Sequence, residues 1–455
     1  MTVRLLDMFR IGPGPSSSHT VGPMRAALFF RRRCLGTDIL PSRVVVELRG
    51  SLSATGKGHG TDRAVLGGLL GWEPETCDCD ALLDIESRLR QAPEIAWGEG
   101  RLRLSPDDVV FTRRADLPDY EVPHPNTMVF RALDPAGNTS AEEMWFSVGG
   151  GFVQRAGTDP GITTAPPAPP EIAFRTGDEL VAAAKAHGIG LGEVVLVNER
   201  AWQREPGELE QGLDRVWAAF RACAERGLAR GGDLPGGLGV RRRARELMAR
   251  VKRGEVQESY RQIAMAQAYA FAINEENAAG GQVVTAPTNG AAGVFPGVLL
   301  EVCDRLQLDR ARIHRALATA GAIGMVIKTH ASLSGAEVGC QGEVGSATAM
   351  AAAALCEILG GNADQVENAA EIGLEHNLGL TCDPMKGLVQ APCIERNAMG
   401  VAKAWSAAQL ALHGDGHHIV SLDHVIRVMK RTGLDMRREY KETSEGGLAV
   451  AIPEC

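Results

Sequence analysis

The stretch RAGTDPGITTAPPAPPEI at residues 155–172 divides the chain into two parts of different character. Its prolines at positions 166, 167, 169 and 170 favour a stiff, extended connector, because proline fixes φ and donates no backbone hydrogen bond. We therefore predict a first domain over residues 1–154, a linker over 155–172 and a second domain over 173–455.

The first part shows the pattern of a small α+β domain. Two segments predict helices, 21–35 with a proline in its first turn and 61–70 opening at a threonine. Four segments rich in β-branched and aromatic residues predict strands: RVVVEL (43–48), DVVF (108–111), NTMVFRAL (126–133) and EMWFSV (143–148).

The second part has the pattern of an almost wholly helical domain. Its long alanine- and leucine-rich segments place apolar residues three and four positions apart, as helices do, and glycine-rich polar loops separate them. The predicted fold class is therefore α+β, with a small N-terminal α+β domain followed by a larger all-α catalytic domain.

Composition bears on the class of partner. The 455 residues carry a net charge of −8, and the basic runs 31–33 and 241–243 are short and lie in helical patterns. Such runs are typical of solvated helix faces, so we expect no nucleic-acid partner. No apolar run approaches the roughly 18–20 residues of a membrane span, and the N-terminus lacks a secretory signal pattern. We expect a soluble, cytoplasmic protein with no membrane partner.

The ten cysteines fall into different settings. Four lie within helical periods and are expected to fill the core: Cys34, Cys223, Cys303 and Cys356. Cys340, Cys382 and Cys393 instead lie beside glycine or proline in loops, 42 and 11 residues apart. This spacing matches neither a ferredoxin nor a zinc-finger pattern, so three unrelated thiols are an alternative to a cluster. Three thiolates on a cubane cluster would leave one iron open for Lewis-acid chemistry.

Polar loops precede several predicted helices. GPGPSSSHT (12–20) offers hydroxyl and backbone donors at a helix start, which suits a carboxylate, although a helix cap with surplus serines is an equal alternative. GKGHGTD (56–62) brings His59 to a second helix start, and APTNGAAG (286–293) forms a third. His59 and His124 also have ordinary interpretations, as an exposed loop histidine and as part of a turn. Lys328 leads directly into the loop of the first cysteine.

These loops together resemble the iron–sulfur-dependent L-serine dehydratases of bacteria. The resemblance covers essentially the whole chain and rests on these motifs: FRIGPGPSSSHTVGPM, GSLSATGKGHGTDRAVLGG, TAPTNGAAG, KTHASLSGAEVGCQGEVG, EHNLGLTCDPMKGLVQAPCIERNA and the final cysteine. The arrangement resembles the single-chain type, in which a β-type domain precedes an α-type domain. The N-terminal part is then expected to be similar to allosteric substrate-binding domains.

The resemblance implies a [4Fe–4S] cluster, L-serine as substrate, a homodimer and no pyridoxal phosphate. It implies that Cys340, Cys382, Cys393 and Cys455 are the cluster ligands. A neutral histidine would remove the α-proton, with His59 preferred over His19 and His19 over His124. Lys328 is a further candidate, as proton donor or carboxylate anchor. We expect the substrate's carboxylate and amine to be held by polar residues of two loops: Ser16, Ser17, Ser18, Thr20, Thr288, Asn289 and Gly290.

Cys455 is expected to have a role of its own. As the last residue of the sequence it joins a thiol and a carboxylate on one α-carbon, which is serine with sulfur in place of oxygen. The apolar run 448–452 favours burial of the tail, although an ordinary C-terminal strand is the alternative. We expect Cys455 to be a ligand that serine displaces.

The sequence leaves two other functional assignments open. Pyridoxal phosphate performs the same elimination in other enzymes, but no lysine here lies in a convincing Schiff-base setting. A regulatory serine-binding protein with a structural cluster or zinc would also use four cysteines. Colour, oxygen sensitivity and metal content distinguish these cases.

Overall fold

A computed structural model describes residues 3–37, 41–113, 116–158, 168–203 and 205–451. Residues 159–167 of the proline-rich linker and Cys455 therefore lie outside the described residues. Within them the chain forms a mixed β-sheet with flanking helices, then a helical bundle.

The sheet of the first part has the strand order β3-β4-β2-β6-β7-β8, with β5 paired to the end of β2. The strands are β2 (Arg43–Gly50), β3 (Glu94–Trp97), β4 (Gly100–Arg103), β5 (Val109–Phe111), β6 (Asn126–Leu133), β7 (Thr139–Ser147) and β8 (Val153–Arg155). The helices are α1 (Gly22–Leu35), α2 (Ser51–Ala54), α3 (Thr61–Leu69), α4 (Cys79–Leu83) and α5 (Ile85–Gln91).

The central strand β2 shows why this sequence forms a half-covered sheet. Val44, Val46 and Leu48 alternate along it and are fully buried, while their neighbours are less buried. β2 pairs antiparallel with β6 over its whole length, from Arg43 opposite Leu133 to Gly50 opposite Asn126. All four predicted strands and both predicted helices are present, and β7 begins four residues before its predicted start.

In its described residues the second part is helical apart from one short strand, β9 (Gln282–Val284), and the connecting loops. Its helices are α6 (Gly177–His187), α7 (Leu191–Trp202), α8 (Glu208–Ala229), α9 (Ala244–Lys252), α10 (Arg261–Ala278), α11 (Val294–Leu306), α12 (Arg310–His330), α13 (Gly335–Val338), α14 (Ser346–Ile358), α15 (Ala363–Glu375), α16 (Cys393–His413) and α17 (Leu422–Asp435). Helix α14 is buried from Ser346 to Cys356, and its alanines allow close approach. A Cβ on Gly373 of α15 would lie 3.1 Å from the Ala349 Cα. The predicted core cysteines are all buried.

The first residues of the chain pack into the helical bundle. Leu5, Met8 and Phe9 belong to the large core of the second part, and a Cβ on Gly321 of α12 would lie 2.2 Å from Leu5. Strand β1 (Ile11–Pro13) then pairs with β9. These contacts fix the polar loop 14–20 between the two parts of the chain.

Among the described residues no single helix is long and apolar enough to cross a membrane. Helices α6 and α7 are long and apolar enough for a membrane span only when they are taken together, and an 85° bend separates them.

Candidate active site

Two π-helical turns carry polar residues into one buried region. The first covers Ser17–Val21 and leads into α1, and the second covers Gln341–Gly345 and leads into α14. Their wide i→i+5 hydrogen bonds include the Gly345 amide donating to the Cys340 carbonyl at 3.3 Å. Such turns are rare and are often found at functional sites, because the extra residue re-aims the side chains around it.

The three predicted cluster cysteines converge on one cavity. The cavity is lined by Ser16, His59, Gly290, Cys340, Glu343, Val344, Cys382, Pro384, Val389, Cys393 and Glu442. The three thiols reach it from three places, namely the N-cap of the second π-helical turn, the 378–392 loop and the first residue of α16. All three are buried and unpaired.

Glu343 lies between two of these thiols. Its carboxylate oxygen accepts from the Sγ atoms of Cys340 and Cys382, at 3.7 Å each, so one ligand atom from each of the three residues could hold a metal ion. Burial, together with the neighbouring Cys340 sulfur, raises the pKa of Glu343 well above its usual value. Burial and the nearby sulfur thus disfavour the charged form of this carboxyl group.

The thiols themselves differ in acidity. Donation from Cys382 lowers the pKa of Cys340, and for the same reason the pKa of Cys382 rises well above its usual value. Burial raises the pKa of Cys393. Arg396 is the cation of this region: burial acts against its charge, but the sulfur of Cys340 and other negative groups raise its pKa. Of the three thiols, only Cys340 has its pKa shifted toward the thiolate form.

A second group joins two histidines through one carboxylate. The rings of His19 and His59 lie 4.5 Å apart, and Glu442 Oε1 lies 3.4 Å from His19 Nδ1 and 3.5 Å from His59 Nε2. All three side chains are buried. Burial acts against the charge of Glu442, but the two histidines outweigh it and lower the pKa of the carboxyl.

The two histidines differ in their remaining contacts. His19 Nδ1 also lies 3.0 Å from Ser18 Oγ, and its Nε2 lies 3.0 Å from Ser51 Oγ, so both ring nitrogens are engaged. Burial lowers the pKa of His19 to about 4, which keeps this ring neutral. His59 Nδ1, in contrast, has no hydrogen-bond partner among the residues that the structure describes. His59 is therefore the histidine with a nitrogen available to a ligand.

The hydroxyls of the first π-helical turn mainly organise the site. Ser16 caps the turn by accepting from the His19 amide, and its Oγ lies 3.2 Å from Ser18 Oγ. Thr20 donates to the His59 carbonyl at 3.0 Å and ties the two histidine loops together. Ser17 is buried in the same turn. Ser16 is the member of this group that lines the cavity.

The 286–293 loop forms another side of the site. Gly290 lines the cavity, and a Cβ there would lie 3.0 Å from a Glu343 oxygen, so glycine permits this close approach. Asn289 donates to the Pro13 carbonyl at 3.0 Å, which attaches the loop to the N-terminal part. Thr288 is buried beside it. Asn397 of α16 donates to the Gly290 carbonyl at 2.7 Å.

The predicted residues His124 and Lys328 both lie near Glu337, away from the cavity lining. His124 Nε2 lies 3.1 Å from Glu337, and Lys328 donates to the Val148 carbonyl at 2.6 Å. Burial lowers the pKa of Lys328 to about 8, with the opposing charge of Glu337 nearby. Neither side chain is among the described residues that line the cavity. Their catalytic roles remain predictions.

The segment after α17 closes the site from the C-terminal side. Glu442 donates its amide to the Cys382 carbonyl at 2.7 Å, and Cys382 donates its amide to Tyr440 at 2.8 Å. Asp383 accepts from the Leu448 amide at 2.8 Å, so the chain follows the cysteine loop. Residues 452–455 lie outside the described residues, and the role of Cys455 remains a prediction.

Comparisons with known proteins match both parts of the chain. The family model described as serine dehydratase beta chain matches residues 4–158, and the one described as serine dehydratase alpha chain matches residues 186–449. The chain belongs to the serine dehydratase family. This family member is 51% identical over 468 residues to an L-serine dehydratase of Streptomyces coelicolor, with both chains covered completely. It is 43% identical to L-serine dehydratase 1 of Escherichia coli, with 99% of each chain covered, and 40% identical to an L-serine dehydratase of Helicobacter pylori, with 98% of each covered.

Sequence reasoning missed two carboxylates of this serine dehydratase family site. Glu343 follows Cys340 by three residues in the motif KTHASLSGAEVGCQGEVG. On a helical turn this spacing would have predicted that the two side chains lie together. Glu442 lies in a plain polar segment, KETSEGG, and meets Ser51 across 391 positions of the chain. Only the folded structure brings Glu442 to the histidines.

Proposed function

We propose that the protein catalyses the dehydration of L-serine to pyruvate and ammonia. The observation that carries the proposal is the convergence of three thiols, a histidine with an available nitrogen and a hydroxyl-rich turn on one buried cavity. The relatives named L-serine dehydratase, which match the chain over its full length, support the same substrate.

We propose further that Cys340, Cys382 and Cys393 hold a [4Fe–4S] cluster. The donor set fits, because three buried thiols and no disulfide surround one cavity. Glycines provide room: a Cβ on Gly335 would lie 3.1 Å from Cys382 Sγ and 2.6 Å from Glu343. When bound, such a cluster supplies a Lewis-acidic iron that polarises a hydroxyl leaving group and a carboxylate. No pyridoxal phosphate is part of the proposal.

His59 is proposed as the base that removes the α-proton at Nδ1. Glu442 faces the opposite nitrogen, so a proton on Nε2 would point at the carboxylate and leave Nδ1 as the acceptor. This arrangement orients the ring and stabilises the imidazolium that forms on proton transfer, as carboxylate–histidine pairs do elsewhere. His19 shares Glu442 but has both nitrogens engaged, so it is proposed to position Glu442.

The substrate's carboxylate and amine are proposed to be held by the two polar loops. Ser16 and Gly290 line the cavity directly. The other predicted residues would form the part of the binding site around Ser16 and Gly290: Ser17, Ser18, Thr20, Thr288 and Asn289. His124 and Lys328 stay as weaker candidates, because their present partners lie outside the cavity lining.

We propose a cytoplasmic homodimer that has no nucleic-acid or membrane partner. Exposed Met399 and Leu410 on α16 support self-association, since each leaves more than half of its side chain uncovered in the single chain. Light scattering on the purified protein measures the mass directly, and a single-chain mass of 48.4 kDa would contradict the dimer.

Cys455 is proposed as a fourth ligand that L-serine displaces. A Cys455→Ala variant tests this through the lifetime of the cluster in air and the apparent affinity for serine. We expect a shorter lifetime together with a changed KM. Unchanged values of both would refute the role of Cys455 and leave the three other thiols unaffected.

The function is tested on protein purified without oxygen. We expect a brown protein that releases pyruvate from L-serine and loses colour and activity together in air. A colourless, air-stable protein that contains zinc and binds serine without turnover would favour the regulatory alternative. Active protein with the absorbance of pyridoxal phosphate would refute the cluster.

A further inference from the structure

A second, larger cleft lies immediately outside the cavity. Its volume is about 440 Å³, and its lining includes Pro15, Lys57, Gly58, Arg63, Lys386 and Leu388. Its wall continues into the wall of the cavity at three places, because Pro15, Gly58 and Leu388 are followed directly by Ser16, His59 and Val389. We call this cleft the antechamber, because its lining adjoins that of the cavity.

Two loops with close glycine contacts separate the antechamber from the cavity. A Cβ on Gly58 would lie 2.3 Å from the Gly387 carbonyl oxygen, and a Cβ on Gly387 would lie 2.3 Å from the Thr55 carbonyl oxygen. The loops are thus packed backbone to backbone, and this packing holds Lys57 and Lys386, the neighbours of these glycines, at the cleft wall. Gly387 has φ +64, in the left-handed region that favours glycine.

The charges on the antechamber wall are all positive. Lys57, Arg63 and Lys386 are its only ionisable residues within the described parts of the chain. Glu86 and Asp62 lie 2.9 and 3.4 Å from Lys57 Nζ and offset part of this charge from behind the wall. Lys386 is exposed, and no acidic group of the described residues lies within ion-pair distance of it. The remaining wall is glycine and apolar side chains such as Leu83 and Leu388.

This wall distinguishes ligands by net charge. A zwitterionic amino acid brings an ammonium group that the cations repel, whereas a small carboxylate anion of similar size brings only attraction. The volume lies in the range of small-molecule pockets, and apolar walls suit a short carbon chain. If the proposed function holds, the reaction converts a zwitterion into such an anion within reach of this wall.

We propose that the antechamber is a binding site for small 2-oxo acid anions, and that the pyruvate released by the reaction occupies it. The inference rests on the proposed function for the source of the anion, but the site itself does not require turnover. The antechamber and the cavity are bordered by the same loops, so pyruvate held there should inhibit the turnover of L-serine.

The experiment measures pyruvate binding by isothermal titration calorimetry on the full-length protein. L-alanine, which has the same carbon skeleton and no net charge, is the matched ligand. We expect the double variant Arg63→Gln, Lys386→Gln to weaken pyruvate binding about tenfold or more, and Lys430→Gln, an exposed lysine of α17 outside the cleft, to leave it unchanged. Binding should also weaken as salt shortens the Debye length from about 30 Å to about 8 Å.

The outcomes separate the site from the function. Equal binding of pyruvate and L-alanine, or wild-type affinity in the double variant, overturns the antechamber proposal even if serine is dehydrated normally. Charge-dependent pyruvate binding in a protein that releases no pyruvate from serine supports the site and refutes the proposed function. In active protein, the double variant should raise the inhibition constant of pyruvate without changing kcat.

Discussion

The carboxylate of Glu442 provides the sharpest test of the proposed base. Substitution Glu442→Gln keeps the size of the side chain and removes the charge that faces His59 at 3.5 Å. Two unit charges at that distance interact by about 5 kcal/mol at an effective dielectric constant of about 20. Because the proton is only partly transferred in the transition state and glutamine still accepts a hydrogen bond, we expect a loss of about 2–3 kcal/mol. That loss corresponds to a kcat about 30- to 150-fold lower.

The assay is pyruvate formation under anaerobic conditions, with variants compared at equal iron content. Glu445→Gln is the matched control, since Glu445 lies three residues away and is exposed. Its kcat should stay within about twofold of the wild type, as for most surface changes. The reasoning fails if Glu442→Gln retains a kcat within about threefold of the wild type at equal iron content.

Three further changes test separate parts of the account. Between about pH 7 and pH 5 His19 gains a proton in the unfolded chain but not in the folded chain, where its pKa is about 4, so the free energy of unfolding decreases as the pH is lowered. His19→Asn should remove about 2 kcal/mol of this decrease, measured by urea unfolding at the two pH values. Cys393→Ser should abolish iron binding and pyruvate formation, whereas Cys356→Ser in the buried face of α14 should keep both, by iron analysis and assay. His124→Gln should lower kcat by less than about threefold, because His124 faces Glu337 outside the cavity lining; a loss of a hundredfold would contradict this.

Local pattern explains why much of the fold could be predicted. Alternating Val44, Val46 and Leu48 reveal β2, and alanine-rich periodicity reveals α14. The short strand β1 carries too few residues for a period, and its partner β9 lies about 270 positions later. Its pairing follows from packing of the N-terminus into the helical core, which no local pattern records.

The candidate site also contains residues that the sequence predicts and one that it does not. Cys340, Cys382, Cys393 and His59 lie in or directly beside loops whose glycines and prolines are visible in the sequence, and they line one cavity. Glu442 could not be found, because nothing in its own segment marks it and its partners come from the other end of the chain. Long-range contacts of this kind depend on the whole fold.

The most direct test of the central claim is one measurement on anaerobically purified protein: pyruvate released from L-serine, followed together with the iron and sulfide content as air is admitted. The account predicts about four irons per chain and a rate that declines in proportion to the loss of cluster. Turnover that continues after the iron is lost, or an iron-loaded protein with no turnover of L-serine, would contradict it.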